Sequence, residues 1–555
     1  MAGRPNVRHR GWLDHPSRIR RARRRPVGVE GATRLPARRR PVRPASVRMM
    51  SARRAAVVVV LLSVGLGVLH LWLAGTLELS PDEAYYWTWS REPALAHPDH
   101  PPLCAWLIVL GTAVAGDTAL GVRWPFVVLG TLLVPLVFVA GRRAGLRPGL
   151  AALAGVLSGA SLLGSAAALV ATPDTPLAFG WVAGLVGLLG VAGGRATRCD
   201  WPLVAAGIAV ACWSKLTGVL LPVVVVVWLA GPAGAAWRRR WSPWFALAAG
   251  LAAALPVWMA DAAGGGATAF QLAHGLWSSG LSLLERLGNV GAYVGAQVGL
   301  LTPLVAAAVA VFLARPRPGE PARAAIWLAA AVPWGVFLAA SPLAAPEANW
   351  PGVAHLGGLL GAALAVQEAR LRGARWSRRA WVAAGAGLAV AASAAVHVHL
   401  ARPFLPLGTR GAEPLVGPSD PTARLRGWGA FVRALERQGV AVCPGWYGAA
   451  AELRFHGYRG PVAPGCEAVQ GGAAGREAPR PAGGEVLWIE PSAGGTLPGG
   501  FAVARPVGCE EGGTGGTAWD AGLVHPAAPV RLRRLRCPPV GTSRPGSIAN
   551  PFPVW

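Results

Sequence analysis

The sequence has 555 residues, of which 53% are hydrophobic and only 14% are charged. This composition is typical of a membrane protein and excludes a single soluble domain. The formal net charge is +27, but Met1–Arg54 holds 17 arginines against Asp14 and Glu30 and therefore contributes +15 of it. The high charge comes largely from this one segment and does not indicate a nucleic-acid-binding groove.

Composition divides the chain into three regions: a basic tail at 1–54, an apolar body at 55–400, and a more polar region rich in Gly and Pro at 401–555. We expect the tail to be disordered and cytoplasmic, because positive charge before a first transmembrane helix stays inside. Its arginine runs would also suit a lipid-binding or nucleic-acid-binding arm, although we expect membrane lipids and no nucleic acid as partners. Met49 and Met50 are further candidates for the start of translation.

Apolar runs in the body predict membrane-spanning helices, each of which needs about 20 residues. Nine runs lie at 55–75, 122–140, 149–169, 175–193, 243–259, 293–314, 324–340, 352–366 and 380–398. A tenth run, 202–230, has arginines on both sides, so both flanks are predicted to be cytoplasmic and the run to cross twice as a tight hairpin turning near Lys215. The body then has 11 spans and ends outside, with 16 basic residues in its inside loops and four in its outside loops.

The terminal region 401–555 predicts a small external α/β domain. A helical pattern covers Arg424–Gln438, and strand-like runs lie at 440–442, 486–489 and 530–535. The region holds four cysteines that would form two disulfides in an oxidising exterior, with three pairings open: Cys443, Cys466, Cys509 and Cys537.

The first external loop contains the motif Ser80-Pro81-Asp82-Glu83-Ala84-Tyr85-Tyr86-Trp87. Ser80 followed by Pro81 and Glu83 predicts a capping box at the start of a helix. In one interpretation Glu83 only closes this cap and the aromatic residues form an interfacial belt. That interpretation leaves Asp82 unexplained, and a carboxylate in a first helical turn suits a metal ligand or an electrostatic anchor.

Three further sites carry polar residues that face the same compartment. His97-Pro98-Asp99-His100 is either a polar turn or part of a metal site. Asp174 is either a helix cap or a member of the site. Lys215 is the only lysine among 53 basic residues, which suggests selection for a compact ammonium rather than a guanidinium.

The clustering of these groups at one membrane face favours an enzyme over two rivals. A transporter or flippase of lipid-linked sugars would more often place charges at the bilayer midplane. A binding or assembly protein that acts through its external domain would have no need of Asp82.

Several strings in order along the body resemble bacterial glycosyltransferase family 39, which is related to protein O-mannosyltransferases and lipid A aminoarabinose transferases. They are Ser-Pro-Asp-Glu-Ala-Tyr-Tyr-Trp, Asp-His-Pro-Pro-Leu, Thr-Pro-Asp-Thr-Pro, Trp-Ser-Lys-Leu-Thr-Gly and Pro-Glu-Ala-Asn-Trp-Pro. The resemblance implies an all-α polytopic GT-C membrane fold, a polyprenyl-phosphate sugar donor, an acceptor on the outer face and inversion at the anomeric carbon. It also implies that Asp82 and Glu83 form the catalytic motif and that Asp174 belongs to the site.

One departure from the aminoarabinose transferases concerns the end of the first loop. His97 stands where their Tyr-Phe-Glu-Lys-Pro motif has Tyr, and His100 stands where it has Lys. This departure puts an aminoarabinose donor and a lipid A acceptor in doubt, and it leaves the donor phosphate to Lys215, Arg123 or a metal ion.

The sequence therefore predicts a multi-pass glycosyltransferase of the bacterial plasma membrane that moves a sugar from a polyprenyl phosphate to a lipid, glycan or protein acceptor. Asp82, Glu83 and Asp174 are the predicted catalytic residues, and Lys215 and Arg123 the predicted phosphate ligands. A divalent ion is a candidate cofactor on Asp82, Asp174 and His100. The predicted donor and acceptor pocket consists of Tyr86, His97, Glu347, Asn349 and Trp350.

Overall fold

The computed structural model describes residues 50–194, 196–263, 281–344, 346–371, 377–404, 420–463, 466, 484–491, 510–511 and 530–537. Residues 1–49 of the predicted basic tail lie outside the described residues. The described residues belong to one structural unit that begins at Met50.

The body is helical. Its helices are α1 (Ala52–Thr76), α2 (Pro81–Ser90), α3 (Leu103–Ala115), α4 (Ala119–Arg143), α5 (Pro148–Ala160), α6 (Leu162–Leu169), α7 (Asp174–Ala192), α8 (Asp200–Ser214), α9 (Leu220–Ala230), α10 (Trp241–Ala263), α11 (Leu283–Leu301), α12 (Pro303–Leu313), α13 (Pro321–Ala340), α14 (Gly352–Leu371) and α15 (Ser377–Ala401).

Among the described residues, six helices are long and apolar enough to cross a membrane, and two bent pairs raise that number to eight. The six are α1, α4, α7, α10, α13 and α15, and the bent pairs are α5 with α6 and α11 with α12. Most runs predicted as spans lie on one of these helices or pairs. The run 202–230 lies on α8 and α9, and the run 352–366 lies on α14. The chain is thus a helical, multi-pass membrane protein, as the sequence predicts.

Two bends interrupt predicted spans. The helices α5 and α6 meet at Ser161 with an angle of 56°, and α11 and α12 meet at Thr302 with an angle of 111°. Thr302 has a φ of +66°, a conformation that costs energy for a β-branched residue and that ends the helix there. Pro303 follows at a helix start, where a missing N–H is harmless.

The predicted break in the run 202–230 falls at Lys215. Helix α8 ends at Ser214, and Leu216–Val219 forms a 3₁₀ turn before α9 begins. Helix α8 packs against α7 and α10, whereas α9 packs against α13, where Trp228 Nε1 donates to the Pro321 carbonyl oxygen. The two short helices are therefore held by different neighbours.

The antiparallel helices α7 and α8 approach each other through glycines. A Cβ on Gly207 of α8 would lie 2.4 Å from the Gly184 nitrogen and 2.6 Å from the Gly180 carbonyl oxygen of α7. Small residues at such spacing let two membrane helices bring their backbones into contact. The start of α7 and the end of α8 consequently lie side by side.

The terminal region folds as helices and a mixed sheet. Its elements are α16 (Trp428–Gln438), β1 (Ala441–Pro444), α17 (Tyr447–Phe455), β2 (Gly484–Pro491), β3 (Glu510–Glu511) and β4 (Val530–Cys537). The strand order is β1-β2-β4-β3, with β1 parallel to β2 and the other pairs antiparallel. Three strands coincide with the predicted strand-like runs.

Two details of this region differ from or extend the sequence predictions. Helix α16 begins at Trp428 rather than Arg424, because Gly427 adopts a φ of +82° after a separate 3₁₀ turn at Pro421–Leu425. Cys443 forms a disulfide with Cys466, which selects one of the three pairings for these two residues. Cys509 and the side chain of Cys537 lie outside the described residues.

Candidate active site

Asp174 and Lys215 meet at the paired ends of α7 and α8. Lys215 Nζ lies 2.9 Å from Asp174 Oδ1, and Asn349 Nδ2 donates to Asp174 Oδ2 at 2.9 Å. Asp174 is the first residue of α7 and makes no capping hydrogen bond, so its interpretation as a helix cap is wrong. Lys215 is only 7% exposed, which makes its ammonium a charge largely removed from solvent.

Asp82 lies in the first turn of α2, where the predicted capping box is present between Ser80 and Glu83. The Asp82 side chain is partly exposed, and its Oδ1 accepts a hydrogen bond from the Tyr447 hydroxyl at 2.7 Å. Tyr447 belongs to the terminal region and is 365 residues away in the sequence. A carboxylate at the start of α2 is therefore held by a side chain that the loop motif does not contain.

Glu83 has a different environment from its neighbour. Its carboxylate is fully buried and lies 2.6 Å from Arg123 Nε, and it accepts further bonds from the Ser80 backbone and hydroxyl and from the Ala171 backbone. These bonds connect the start of α2 with Arg123 of α4 and with the segment that leads into α7. Glu83 thus fixes the frame of the site, and its carboxylate oxygens are occupied within the protein.

The environment of Arg123 does not match its predicted role as a phosphate ligand. Its guanidinium is fully buried and donates to both Glu83 oxygens and to the backbone carbonyls of Ala74, Leu77 and Glu78. An arginine has five N–H donors, and these five bonds use them all. The geometry gives Arg123 a structural role.

The segment that carries Glu347, Asn349 and Trp350 closes another side of the site. Trp350 Nε1 donates to Glu347 Oε2 at 3.1 Å. Burial raises the pKa of Glu347, an effect that nearby Lys215 opposes and that Asp82 and Asp174 reinforce. Glu347 thus lies within electrostatic reach of all three groups.

His100 belongs to the same cluster. Burial lowers the pKa of His100 to about 3, with a smaller lowering contribution from Lys215 and an opposing one from Asp174. Its imidazole is therefore neutral at physiological pH and supplies one donor and one acceptor.

The two remaining predicted pocket residues, Tyr86 and His97, lie among aromatic rings. The Tyr86 ring lies 5.9 Å from His100 and 4.8 Å from Trp89, and Trp89 stacks on His97 at 5.0 Å. Tyr86 therefore borders the site, whereas His97 lies behind Trp89. Among the described residues, His97 Nε2 is buried without a hydrogen-bond partner.

The three residues predicted as metal ligands do not come together as a set. Within the described part of the chain, no three His, Cys, Asp or Glu side chains converge closely enough to hold an ion. Asp174 is already engaged by Lys215 and Asn349, and Asp82 by Tyr447. Asp82, Asp174 and His100 as arranged do not fit a divalent cofactor.

A cavity opens between α4, α5, α6, α7 and α14. Asp174 and Asn349 line it together with mostly apolar side chains, among them Leu133, Leu163, Leu356 and Leu359. The cavity thus joins the Asp174–Lys215 pair to an apolar space inside the helical body.

Sequence comparison gives one family match. Residues 99–259 match the family model of dolichyl-phosphate-mannose-protein mannosyltransferases. The match confirms the resemblance to GT-C glycosyltransferases. It covers Asp174 and Lys215 but begins after Asp82, and the narrower assignment to family 39 is not confirmed. No curated protein matches the sequence.

Solved structures of membrane glycosyltransferases also align with the chain. ArnT from Cupriavidus metallidurans bound to undecaprenyl phosphate is 17% identical over 86% of this chain and 98% of its own, with a TM-score of 0.49. The Pmt1–Pmt2 protein O-mannosyltransferase complex of S. cerevisiae, bound to its sugar donor, is 19% identical over 38% of this chain and 33% of its own, with a TM-score of 0.31. An oligosaccharyltransferase of Archaeoglobus fulgidus is 13% identical over 78% and 67%, with a TM-score of 0.44.

Proposed function

We propose that this membrane glycosyltransferase moves a sugar from a polyprenyl phosphate to an acceptor on the outer face of the bacterial plasma membrane, with inversion. The observation that carries the proposal is the Asp174–Lys215 pair, which joins the apolar cavity to the carboxylates around Asp82. The acceptor is a lipid, a glycan or a protein of the cell envelope, and the terminal region lies outside the membrane.

Lys215 is the proposed ligand of the donor phosphate. An ammonium has three N–H donors, and Asp174 takes one of them. Because Asn349 holds the other oxygen of Asp174, the lysine is oriented before a ligand arrives. A largely desolvated ammonium stabilises the negative charge that grows on the leaving phosphate more strongly than an exposed one would.

Asp82 is the proposed base. The acceptor hydroxyl attacks the anomeric carbon as the bond from that carbon to the phosphate oxygen breaks, and the electron pair leaves with the polyprenyl phosphate. The proton of the acceptor passes to the partly exposed Asp82 carboxylate. Attack opposite the leaving phosphate inverts the anomeric carbon, and no step is assigned to a metal ion.

The cavity lined by Leu133 and Leu356 is the proposed place for the start of the isoprenoid tail. Burial of the hydrocarbon chain contributes about 25 cal/mol for each Å² of apolar surface removed from water. Neutral His100 and the hydroxyl of Tyr86 are placed to hydrogen-bond a sugar next to the charged cluster.

The test is release of free polyprenyl phosphate from polyprenyl-phosphate mannose and from a panel of other lipid-linked sugars by purified full-length protein. We expect release with at least one donor, and we expect Asp82→Asn to abolish it while the protein remains folded. Asp117→Asn is the matched control, because Asp117 is an exposed residue whose salt bridge to Arg91 contributes little, and asparagine keeps the Oδ1 that accepts from Trp87 Nε1.

Two outcomes would contradict the proposal. One is activity of Asp82→Asn within about threefold of the unmodified protein, which is a change of roughly 0.7 kcal/mol in barrier. The other is transbilayer movement of the lipid-linked sugars without release of polyprenyl phosphate, which would support a flippase.

A further inference from the structure

The terminal region contacts the candidate base directly. Helix α17 packs against α2, and the first residue of α17, Tyr447, donates its hydroxyl to Asp82 Oδ1 at 2.7 Å. Hydrogen bonds from neutral donors to carboxylates are shorter and stronger than those between neutral groups. The contact is therefore suited to fixing the direction in which the Asp82 carboxylate points.

Close contacts hold Tyr447 and the rest of α17 against α2. Its ring centroid lies 4.5 Å from that of Tyr85, which follows Asp82 by three residues on α2. Gly448 lies so close to α2 that a Cβ there would stand 2.6 Å from Pro81 Cβ. At the far end of α17, the Phe455 ring meets Trp87 edge to face at 5.1 Å. Helix α17 is thus docked along the length of α2.

A second helix of the terminal region is fastened to the same segment. The Glu78 carboxylate accepts hydrogen bonds from the backbone N–H groups of Trp428 at 2.7 Å and Gly429 at 3.2 Å, at the start of α16. A carboxylate at this end of a helix satisfies N–H groups that have no partner within the helix. The short stretch from Glu78 to Asp82 therefore holds both α16 and α17.

The tyrosine remains a hydrogen-bond donor under physiological conditions. Burial raises the pKa of Tyr447 well above its usual value, and the charge of nearby Asp82 raises it further. The hydroxyl is consequently protonated at physiological pH.

We propose that Tyr447 is a positioning residue for Asp82, so that the terminal region completes the active site of the body. The proposal rests on the proposed transferase function. The hydroxyl aims one carboxylate oxygen and leaves the other, Oδ2, to face the acceptor. It also stabilises the ionised form of the carboxylate, which is the form that accepts a proton.

The test compares Tyr447→Phe with Tyr458→Phe in the full-length protein, using whichever donor the unmodified protein cleaves. Tyr447→Phe keeps the ring against Tyr85 and removes only the hydroxyl. Tyr458 is the matched control, because it lies in the same region and its hydroxyl makes a long 3.4 Å contact with the Pro461 carbonyl oxygen.

We expect kcat of Tyr447→Phe to fall about tenfold or more, as for loss of a hydrogen bond to a charged group, while KM for the donor changes by less than about twofold. The acid side of its pH–activity profile should move to higher pH, because a carboxylate that loses a donor is protonated more easily. Tyr458→Phe should match the unmodified protein in both respects. Thermal unfolding of both variants checks that each remains folded.

An unchanged kcat and pH profile in Tyr447→Phe would overturn the positioning role while leaving the transferase function intact. A fall in kcat with no shift of the profile, or an equal fall in Tyr458→Phe, would assign Tyr447 a purely structural role and would also overturn it. Failure of the unmodified protein to cleave any lipid-linked sugar would instead overturn the proposed function, and the positioning role with it.

Discussion

Glu83 shows at the residue scale how the same local motif takes on different roles in different surroundings. The described residues include two capping boxes, Ser80 with Glu83 and Ser282 with Glu285. Both glutamates bond the serine hydroxyl and backbone, but Glu285 lies at an exposed helix start, whereas Glu83 is buried against Arg123. Capping alone predicts a mild effect of glutamine at either position, because glutamine also serves in a capping box.

We predict that Glu83→Gln strongly destabilises the protein. Removal of one partner leaves the Arg123 charge buried and uncompensated, which costs roughly 3–5 kcal/mol in comparable buried pairs. The measurement is thermal unfolding in detergent, with Glu285→Gln as the control that changes a capping box without an ion pair. Equal midpoints for the two variants would show that the Glu83–Arg123 pair adds nothing beyond the cap.

Lys215 carries the second prediction at this scale. We expect Lys215→Ala to reduce donor cleavage by about thirtyfold or more, as for loss of a desolvated charge-assisted hydrogen bond, and Lys215→Arg to impair it less. The planar guanidinium keeps the charge but cannot reproduce the compact geometry that Asp174 and Asn349 hold.

The assay is cleavage of the same lipid-linked sugar at matched amounts of membrane-inserted protein. Asp117→Asn again serves as the control for a lost surface charge. Full activity in Lys215→Ala would show that the single lysine is an accident of composition and that the donor phosphate is met elsewhere.

Individual site residues could be predicted from the sequence where the residue type is rare in the chain or has no local structural explanation. Lys215 was conspicuous as the one lysine, and Asp82 as the carboxylate that a capping box does not need. Tyr447 was missed because the contact joins positions 365 residues apart and no local pattern marks it. Arg123 was assigned to a phosphate because sequence does not show that its donors are already used by Glu83 and three backbone carbonyls.

At the scale of helices, the approach of α7 and α8 determines whether Asp174 and Lys215 meet. Gly207 lies between Gly180 and Gly184, with no room for a side chain. We predict that Gly207→Val pushes the helices apart, lowers stability by about 1–3 kcal/mol as in other overpacked sites, and weakens donor cleavage by disturbing the Asp174–Lys215 pair.

Gly75→Val on α1 is the matched control, because nothing lies within 4 Å of a Cβ at Gly75. Unfolding midpoint and donor cleavage are measured for both variants. The helix-contact explanation is wrong if Gly207→Val behaves like Gly75→Val.

Helix positions were more predictable than helix packing. Apolar length located the spans, and the serine, proline and glutamate of the capping box located the start of α2. Helix α3 was not predicted, since Leu103–Ala115 is too short to span and follows a Pro-rich turn. Which helices pack together depends on side-chain volumes at distant positions, and a single sequence does not reveal those pairs.

At the scale of the whole molecule, the site contacts restrict the path of the chain through the membrane. Asp82 contacts Tyr447, and Asp174 contacts both Lys215 and Asn349. These contacts imply that an even number of crossings separates each segment of the site from the next. Ten crossings between the first loop and the terminal region satisfy that condition when each bent pair counts as one, when α8, α9 and α14 also cross although they are not among the eight span candidates, and when α3 does not cross.

The disulfide of the terminal region is a separate, chemical argument for the external placement of that region. Its Cys443–Cys466 disulfide is stable in an oxidising compartment and is uncommon in the cytoplasm of a bacterium. The sequence predicted an external domain from charge asymmetry alone, and the disulfide and the Tyr447 contact are independent of that charge count.

We therefore predict that a topology reporter fused after Arg402 reads external and that reporters fused after Arg147 and Gly231 read cytoplasmic. Arg402 directly follows α15, so its side of the membrane is also that of the terminal region and, through Tyr447, of the Asp82 loop. Gly231 precedes Arg238, Arg239 and Arg240, which the positive-inside rule retains in the cytoplasm. Because Asp174 and Lys215 lie 2.9 Å apart, an even number of crossings must separate them. The reporter after Gly231 tests the next crossing along the chain, which is α9. A cytoplasmic reading at Arg402 would place the candidate active site on the inner face, and the donor would then have to be used before it is moved across the membrane.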